Sequence, residues 1–299
     1  MAVRARRATT FPATIFRSEA ALPLGLLAPT LIFLALLILL PVAQAVLLSF
    51  KAADGALGLD AYKRMFGDVA FVESFRNTIL LLIALVPIQM ALALAMALLI
   101  NSRFKGHGIF LYIFALPLAI SDLAAGIVWL SIFTENGYLN GVLQGLGLIK
   151  EPVAYLSYEN LQFVFMAVVV AESWRATAIV LVILLAGLQV IPREFFEAAE
   201  LFGANRWRRT LQVVLPMLKP SLQSALIIRT IFAFQTFAVV LALAGRQLPV
   251  LGYEAYDWYY NNRNESVAAA FAALILVLTI TITIVYLRLL RVRDAELAR

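Results

Sequence analysis

Apolar residues fall along this chain in long runs, not in the alternations or narrow stripes of a water-soluble fold. Six of these runs are long enough, at about 20 residues or more, to cross a hydrocarbon layer of roughly 30 Å. They cover Leu22–Phe50, Asn77–Ile100, Ile109–Phe133, Leu161–Leu188, Leu218–Ala244 and Val267–Leu290, and each predicts one membrane-spanning helix. The first far exceeds the apolar core of a signal peptide and shows no small-residue cleavage site, so it is expected to remain as a span. Pro87 and Pro117 lie inside the second and third runs, where neighbouring helices can satisfy the groups that a proline kink frees.

The polar intervals are short. In "GLDAYKRMFGDVAFVESF", Leu59, Tyr62, Phe66 and Val69 recur at helical spacing, with Asp60, Lys63 and Asp68 elsewhere, predicting a short helix lying in the outer interface. "TENGYLNGVLQGLGLIKEP" contains Asn-Gly twice, at 136–137 and 140–141, and each pair predicts a turn. "GYEAYDWYYNNRNES" crowds aromatic rings among charges, as an interfacial belt or a docking surface does. The longest polar interval, "EFFEAAELFGANRWRRTLQVVLP", predicts two short helices. Pro192 suits a first helical position and Glu194 and Glu197 suit an N-terminal turn. Phe195, Ala198, Ala199 and Phe202 form one apolar face. Gly203 stops the first helix in a left-handed conformation. Asn205 caps a second, from about Arg206 to Leu215, which Pro216 closes. Arg206, Arg208 and Arg209 would meet anionic lipid or an acidic partner.

Composition agrees with an all-α integral membrane protein. Hydrophobic residues make up 63% of the chain and charged residues 14%, against roughly a quarter charged in soluble domains. Residues 22–290 read as one six-helix domain between short tails at 1–21 and 291–299. The net charge of +6 does not form a nucleic-acid patch, because the basic residues stand at span ends. Fifteen lie on one side: Arg4, Arg6, Arg7 and Arg17, Arg103 and Lys105, Arg193, Arg206, Arg208, Arg209 and Lys219, then Arg288, Arg291, Arg293 and Arg299. Only Lys51, Lys63, Arg64, Lys150, Arg246 and Arg263 lie on the other, with Arg76 at a border. The bias predicts cytoplasmic termini and a cytoplasmic 190–217 loop. There is no cysteine, which excludes disulfides and thiolate chemistry. The lone His107 reads as a solvated loop residue, and no phosphate-binding GxxxxGK[ST] pattern occurs.

Glu197-Ala198-Ala199, then Gly203, then Val213-Val214-Leu215-Pro216 resembles the EAA loop of permease subunits in bacterial ABC importers. Val213 stands where that pattern has isoleucine, and Phe202 where many such loops have aspartate. The resemblance covers about Leu24 to Leu290, and "LLPVAQAVLLSF", "RNTILL", "GYLNGVL" and "RTIFAF" are similar to stretches of the sugar-permease branch, the maltose and glycerol-phosphate type. It implies a type I importer fold in a bacterial inner membrane and a non-catalytic subunit translocating a sugar. A second homologous permease, two ATPases that carry ATP and magnesium, and an extracytoplasmic binding protein would be its partners. No cofactor would bind this chain itself. Glu197, Ala198, Ala199, Gly203, Leu215 and Pro216 would dock the ATPase and transmit its closure.

Charges inside the runs need partners, since each facing lipid near mid-depth costs about 2.5–3.5 kcal/mol. Glu172 and Arg175 share a face of the fourth run, Asp122 lies in the third, and Arg229 lies in the fifth with Gln235 and Thr236 beyond it. They either pair to fix helix packing, as Glu172–Arg175 or Arg229–Asp122, or line a substrate path. The resemblance places that path at Glu172, Arg175, Ala176, Ile179, Arg229, Ala233 and Thr236. A phosphorylated polyol such as glycerol 3-phosphate is the second substrate reading, with the two arginines gripping the anion. An ion-coupled transporter with Glu172 or Asp122 as proton carrier is a third, and it would call for inverted repeats, which do not show. A purely structural scaffold would leave the polar loop unexplained.

Overall fold

A computed structural model describes residues 21–51 and 55–289. Apart from Ala21, the expected tails at 1–21 and 291–299, with Arg4, Arg6, Arg7, Arg17, Arg291, Arg293 and Arg299, lie outside the described residues, as does residue 290. The chain divides into Met1–Leu48 and Ser49–Arg299.

The first unit contains α1 (Ala21–Leu34), a π-helical turn over Ala35–Leu39 and most of α2 (Leu40–Ser49). The π turn stands immediately ahead of Pro41. Proline offers no N–H to the carbonyl four residues back and its ring collides with it, so a widened turn absorbs the misfit.

The second unit begins with α3 (Asp60–Phe66) and α4 (Phe71–Asn101), which carries Pro87 without breaking. The short helix occurs where expected. Ala61 and Met65 are buried, while Leu59, Phe66 and Val69 are exposed. The expected third span is not one helix. It is α5 (His107–Ala115) with a 3-10 turn over Leu116–Ala119, then α6 (Asp122–Phe133), and the axis turns by 104° at the break. Ile120 and Ser121 are extended there, and the Ser121 side chain accepts a hydrogen bond from the Ala124 N–H, so α6 has its own N-cap. Hydropathy cannot register such a break, because both flanks are equally apolar.

Helix α7 (Tyr138–Gly145) follows Gly137. The second Asn-Gly pair therefore lies within a helix, not in a turn. Asn140 is buried, and its amide bonds the Glu135 and Val153 carbonyls and the Val153 N–H, closing the loop beyond α7. Next come α8 (Leu161–Val190), α9 (Arg193–Leu201) and α10 (Arg206–Arg209). A π turn over Thr210–Val214 leads directly into α11 (Leu215–Phe234). Pro216 does not close a helix. As at Pro41, a π turn precedes the proline, and the chain stays helical from Arg206 to Phe234. The expected fifth span ends early, at Gln235, and α12 (Ala238–Leu243) is a separate piece. Helix α13 (Leu251–Tyr260) and the long α14 (Glu265–Leu289) complete the unit. Among the described residues, five helices could cross a membrane by length and apolarity, or six with the bent α5–α6 pair.

Beside a cluster that packs Met65 of α3 and Leu251 of α13 against Phe271 of α14, two apolar layers join α4 and α8 to their neighbours. One gathers Leu81 and Leu85 of α4, Val168 and Ala171 of α8, and Val240 and Leu243 of α12. The other gathers Ala93 and Ala97 of α4, Leu181 and Leu184 of α8, and Leu218 and Ala225 of α11. Gly187 lets α8 and α11 meet closely, since a Cβ there would stand 2.6 Å from the Ser221 Cβ and 2.9 Å from Leu218 Cδ1. At one end α4 is pinned by Asn77, which donates to the Pro249 carbonyl, and by Thr78, which accepts from the Leu251 N–H.

Candidate functional site

Between the two apolar layers lies a polar one. On α4 it falls at Gln89, between Leu85 and Ala93; on α8 at Glu172, just past Ala171; on α11 at Arg229, one turn past Ala225. The side chains of Arg229 and Glu172 are 0% and 2% exposed. Their charges persist at that depth only through mutual pairing, since an isolated charge in a low-dielectric interior carries a penalty of several kcal/mol.

Glu172 is the hub. Its Oε1 accepts from Arg175 Nη2 at 3.0 Å and from Arg229 Nη2 at 3.1 Å. Arg175 Nη1 reaches across to Asp122 Oδ1 at 2.9 Å. Arg229 Nε donates to Gln89 Oε1, and Gln89 Nε2 donates to the Glu172 backbone carbonyl at 3.0 Å. Two acids and two arginines thus form a charge-balanced chain through α6, α8, α11 and α4. Its ends differ. Arg229 is sealed, whereas Arg175 is 18% and Asp122 52% exposed at the α5–α6 break. One donor of the buried guanidinium, Arg229 Nη1, has no partner among the described residues.

One of the two expected pairings holds and the other needs revision. Glu172–Arg175 is present, but Asp122 bonds Arg175 and not Arg229, and Glu172 serves both arginines. Asp122 sits in the first turn of α6 and not in mid-span. Gln235 is an exposed C-cap of α11, and Thr236 is buried in the following break with its hydroxyl unpartnered. Gln89 escaped the sequence reading because it is uncharged. An amide in the middle of "VPIQMALAL" was nonetheless a signal of the same kind as the charges. Among the described residues no cluster of His, Asp and Glu could hold a metal ion.

The 190–217 interval folds largely as its residues dictate. Pro192 is the N-cap of α9, one residue earlier than expected. Gly203 has φ +75°, and Asn205 caps the next helix by accepting from the Arg208 N–H at 2.8 Å. Glu197 and Ala198 are exposed and Ala199 half-buried, while Leu215 and Pro216 lie in the run leading into α11. The apolar face divides differently from expectation. Phe196 turns inward against the lower layer, and Phe195, Leu201, Phe202 and Trp207 stand outward. Arg209 does not reach outward: it pairs with Glu200 and lies over the Phe196 ring, tying α10 to α9. Arg208 donates to Gln212.

At the α13 end, Arg246 holds Asp257 at 2.9 and 3.0 Å, and Trp258 Nε1 donates to Asp68 at 2.8 Å. Glu254 has no such arginine. Burial, followed by the neighbouring Asp68 and Asp257 charges, lifts its carboxyl to about 7. His107 opens α5 and its ring bonds the Phe104 carbonyl.

A bundle of apolar helices around a buried, balanced ion chain, with a capped helical hairpin outside the apolar layers, defines a polytopic membrane transport component. The sequence profile of the binding-protein-dependent transport system inner membrane component family matches residues 89–293, and the chain belongs to that family. It is 34% identical to the sulfoquinovosyl glycerol transport system permease protein of Agrobacterium fabrum, with 90% of each chain covered. It is 32% identical to the trehalose/maltose transport system permease protein of Thermococcus litoralis, over 92% of this chain and 95% of that one. A chain of a bacterial ABC transporter that imports the acidic polysaccharide alginate shares the fold, with TM-score 0.77 and 20% identity over 90% of this chain and 95% of that one. The chain is thus an ABC importer permease of the sugar-permease branch, with the type I importer fold.

Proposed function

We propose that this chain carries a sugar or sugar derivative, of di- or oligosaccharide size, through the membrane in an ATP-driven importer. The names of its relatives, which include maltose, trehalose and lactose permeases, support that substrate class. A second, homologous permease would complete the path, two separate ATPase subunits would hold ATP and magnesium, and an extracytoplasmic binding protein would deliver the sugar. A solved alginate transporter of the same fold is in complex with a pentasaccharide-bound periplasmic protein, which supports the last of these. The termini and the α9–α10 hairpin would face the cytoplasm, in keeping with the positive charge bias.

The observation that carries the reading is the continuous helical run from Arg206 to Phe234. It joins the hairpin of Glu197, Ala198, Ala199 and Gly203, through Leu215 and Pro216, to Arg229 in the buried ion chain. Closure of the ATPases against the hairpin would then act directly on Arg229. Arg175 and Asp122, at the accessible end, would meet the sugar hydroxyls, with Glu172 holding Arg175 behind them and Gln235 and Thr236 further along the same path. The balance of two acids against two arginines favours a neutral ligand over a phosphorylated polyol.

Uptake by the assembled transporter in proteoliposomes tests this. Transport should require ATP and ignore an imposed proton gradient. Arg229→Lys should impair uptake of a neutral sugar nearly as much as Arg229→Gln, because hydrogen-bond geometry is lost in both. Uptake driven by the proton gradient alone would point to ion coupling through Glu172 or Asp122. At the accessible Arg175, retention with lysine and loss with glutamine would point to an anionic substrate.

A further inference from the structure

The end of α4 and the start of the α10–α11 run enclose a cleft of about 830 Å³, with Phe196 and Glu200 of α9 as its third wall. Its polarity is graded along both helices. Ser102 and Asn101 close α4, and Arg206 and Arg209 open the other run. Leu98 and Val214, one to two turns further in, are apolar. Both helices have the length and apolarity of membrane spans, so the gradient runs from hydrocarbon depth to the interface. Trp207 at the rim is exposed, as are Leu99 and Leu211 beside it, the aromatic and aliphatic marks of an interfacial zone.

The charge of the lining is not balanced. Glu200 is taken by Arg209, whereas among the described residues no ion pair involves Arg206. One positive charge is left over. The volume is near the upper end of ligand pockets, roughly 300–1,000 Å³, far more than an isolated phosphate ion needs.

We propose that this cleft seats an anionic glycerophospholipid. Arg206 is the principal cation for its phosphate, Arg209 is a second that it shares with Glu200, and Leu98 and Val214 receive the first chain carbons. Guanidinium planes suit phosphate because two parallel N–H groups meet two oxygens. The proposal concerns lipid alone and stands whether or not the hairpin transmits force.

Native mass spectrometry of the whole transporter, ATPase subunits included, tests it after extraction from vesicles of phosphatidylcholine mixed with phosphatidylglycerol. The intact complex should retain phosphatidylglycerol selectively. Arg206→Gln should reduce that retention about fivefold, the effect of one basic residue at an anionic surface, and Arg206→Lys, which keeps the charge without the paired N–H groups, should fall between it and the unaltered chain. Arg206 is exposed and unpaired, so neither change threatens folding. Inorganic phosphate added in excess should not displace the lipid. Equal retention of both lipids, retention unchanged in Arg206→Gln, or displacement by phosphate would each overturn the proposal. So would lipid that binds only once the ATPases are removed, because the cleft would then belong to them.

Discussion

Removing the charge of Glu172 should be the most damaging single change in the buried ion layer. Glu172→Gln leaves Arg229, fully buried, with only the Gln89 amide as a partner, while Arg175 still holds Asp122. Breaking a buried pair in this way costs about 3–5 kcal/mol. Arg229→Gln is the milder loss, because Glu172 keeps Arg175. What goes is one hydrogen bond between charged groups, about 1.5–3 kcal/mol, together with the bond from Arg229 Nε to Gln89. Asp122→Asn removes a half-exposed partner and should cost at most about 1 kcal/mol. The order should therefore be Glu172, then Arg229, then Asp122. The double change Glu172→Gln with Arg229→Gln should be less destabilising than Glu172→Gln alone, since the stranded cation is gone. Thermal unfolding of the purified, lipid-reconstituted transporter reads these differences, and a double-mutant cycle isolates the coupling. Additive effects, or a compensating effect of Arg175→Gln in place of Arg229→Gln, would refute the hub assignment.

Glu254 predicts a pH effect of definite sign. Its carboxyl is raised to about 7 in the folded chain, so the folded state holds a proton there that the unfolded chain, with an ordinary carboxylate value, gives up. Stability should fall as pH rises from about 5 to about 7 and level off above. Glu254→Gln, beside Asp68, Asp257 and Arg246, should flatten that slope in a Tm-versus-pH series, and an unchanged slope would exonerate Glu254. Gly203→Val places a branched residue at φ +75° with nothing within 4 Å of the new Cβ. Its effect is backbone strain of about 1–3 kcal/mol, and it should lower the sugar moved per ATP hydrolysed, whereas Gly203→Asn should retain most coupling. Gly187→Ala should push α8 from α11 and lower Tm by an overpacking cost of about 1–3 kcal/mol. Ser221→Gly should restore it, and failure of that rescue would place the clash elsewhere.

Long uniform helices were readable from the chain: α4, α8 and α14 lie within a few residues of their apolar runs. So was the hairpin, because Gly203 and Asn205 act through local backbone chemistry. The breaks at Ile120–Ser121 and at Gln235–Phe237 were not readable. Apolar residues on both sides make hydropathy continuous, and only tertiary packing decides that the axis turns. Pro216 misled for the opposite reason. A proline in a soluble helix marks an end, yet here a π turn accommodates it and packing carries the helix onward. The ion cluster was half legible. Insertion cost singles out Asp122, Glu172, Arg175 and Arg229, but which carboxylate meets which guanidinium depends on helix rotation, which the sequence does not encode locally.

The uninterrupted run from Arg206 to Phe234 has a mechanical consequence. Twenty-three residues of helix separate Arg206 from Arg229, a rod of about 35 Å at 1.5 Å per residue. A pivot at the hairpin through only about 5° would sweep the far end sideways by about 3 Å. That is as long as the 3.1 Å bond between Arg229 and Glu172. Geometric amplification alone would thus suffice to open the ion chain, with no unfolding anywhere along the rod. Stiffness of the Thr210–Val214 turn, more than any single contact, would determine how faithfully the displacement arrives.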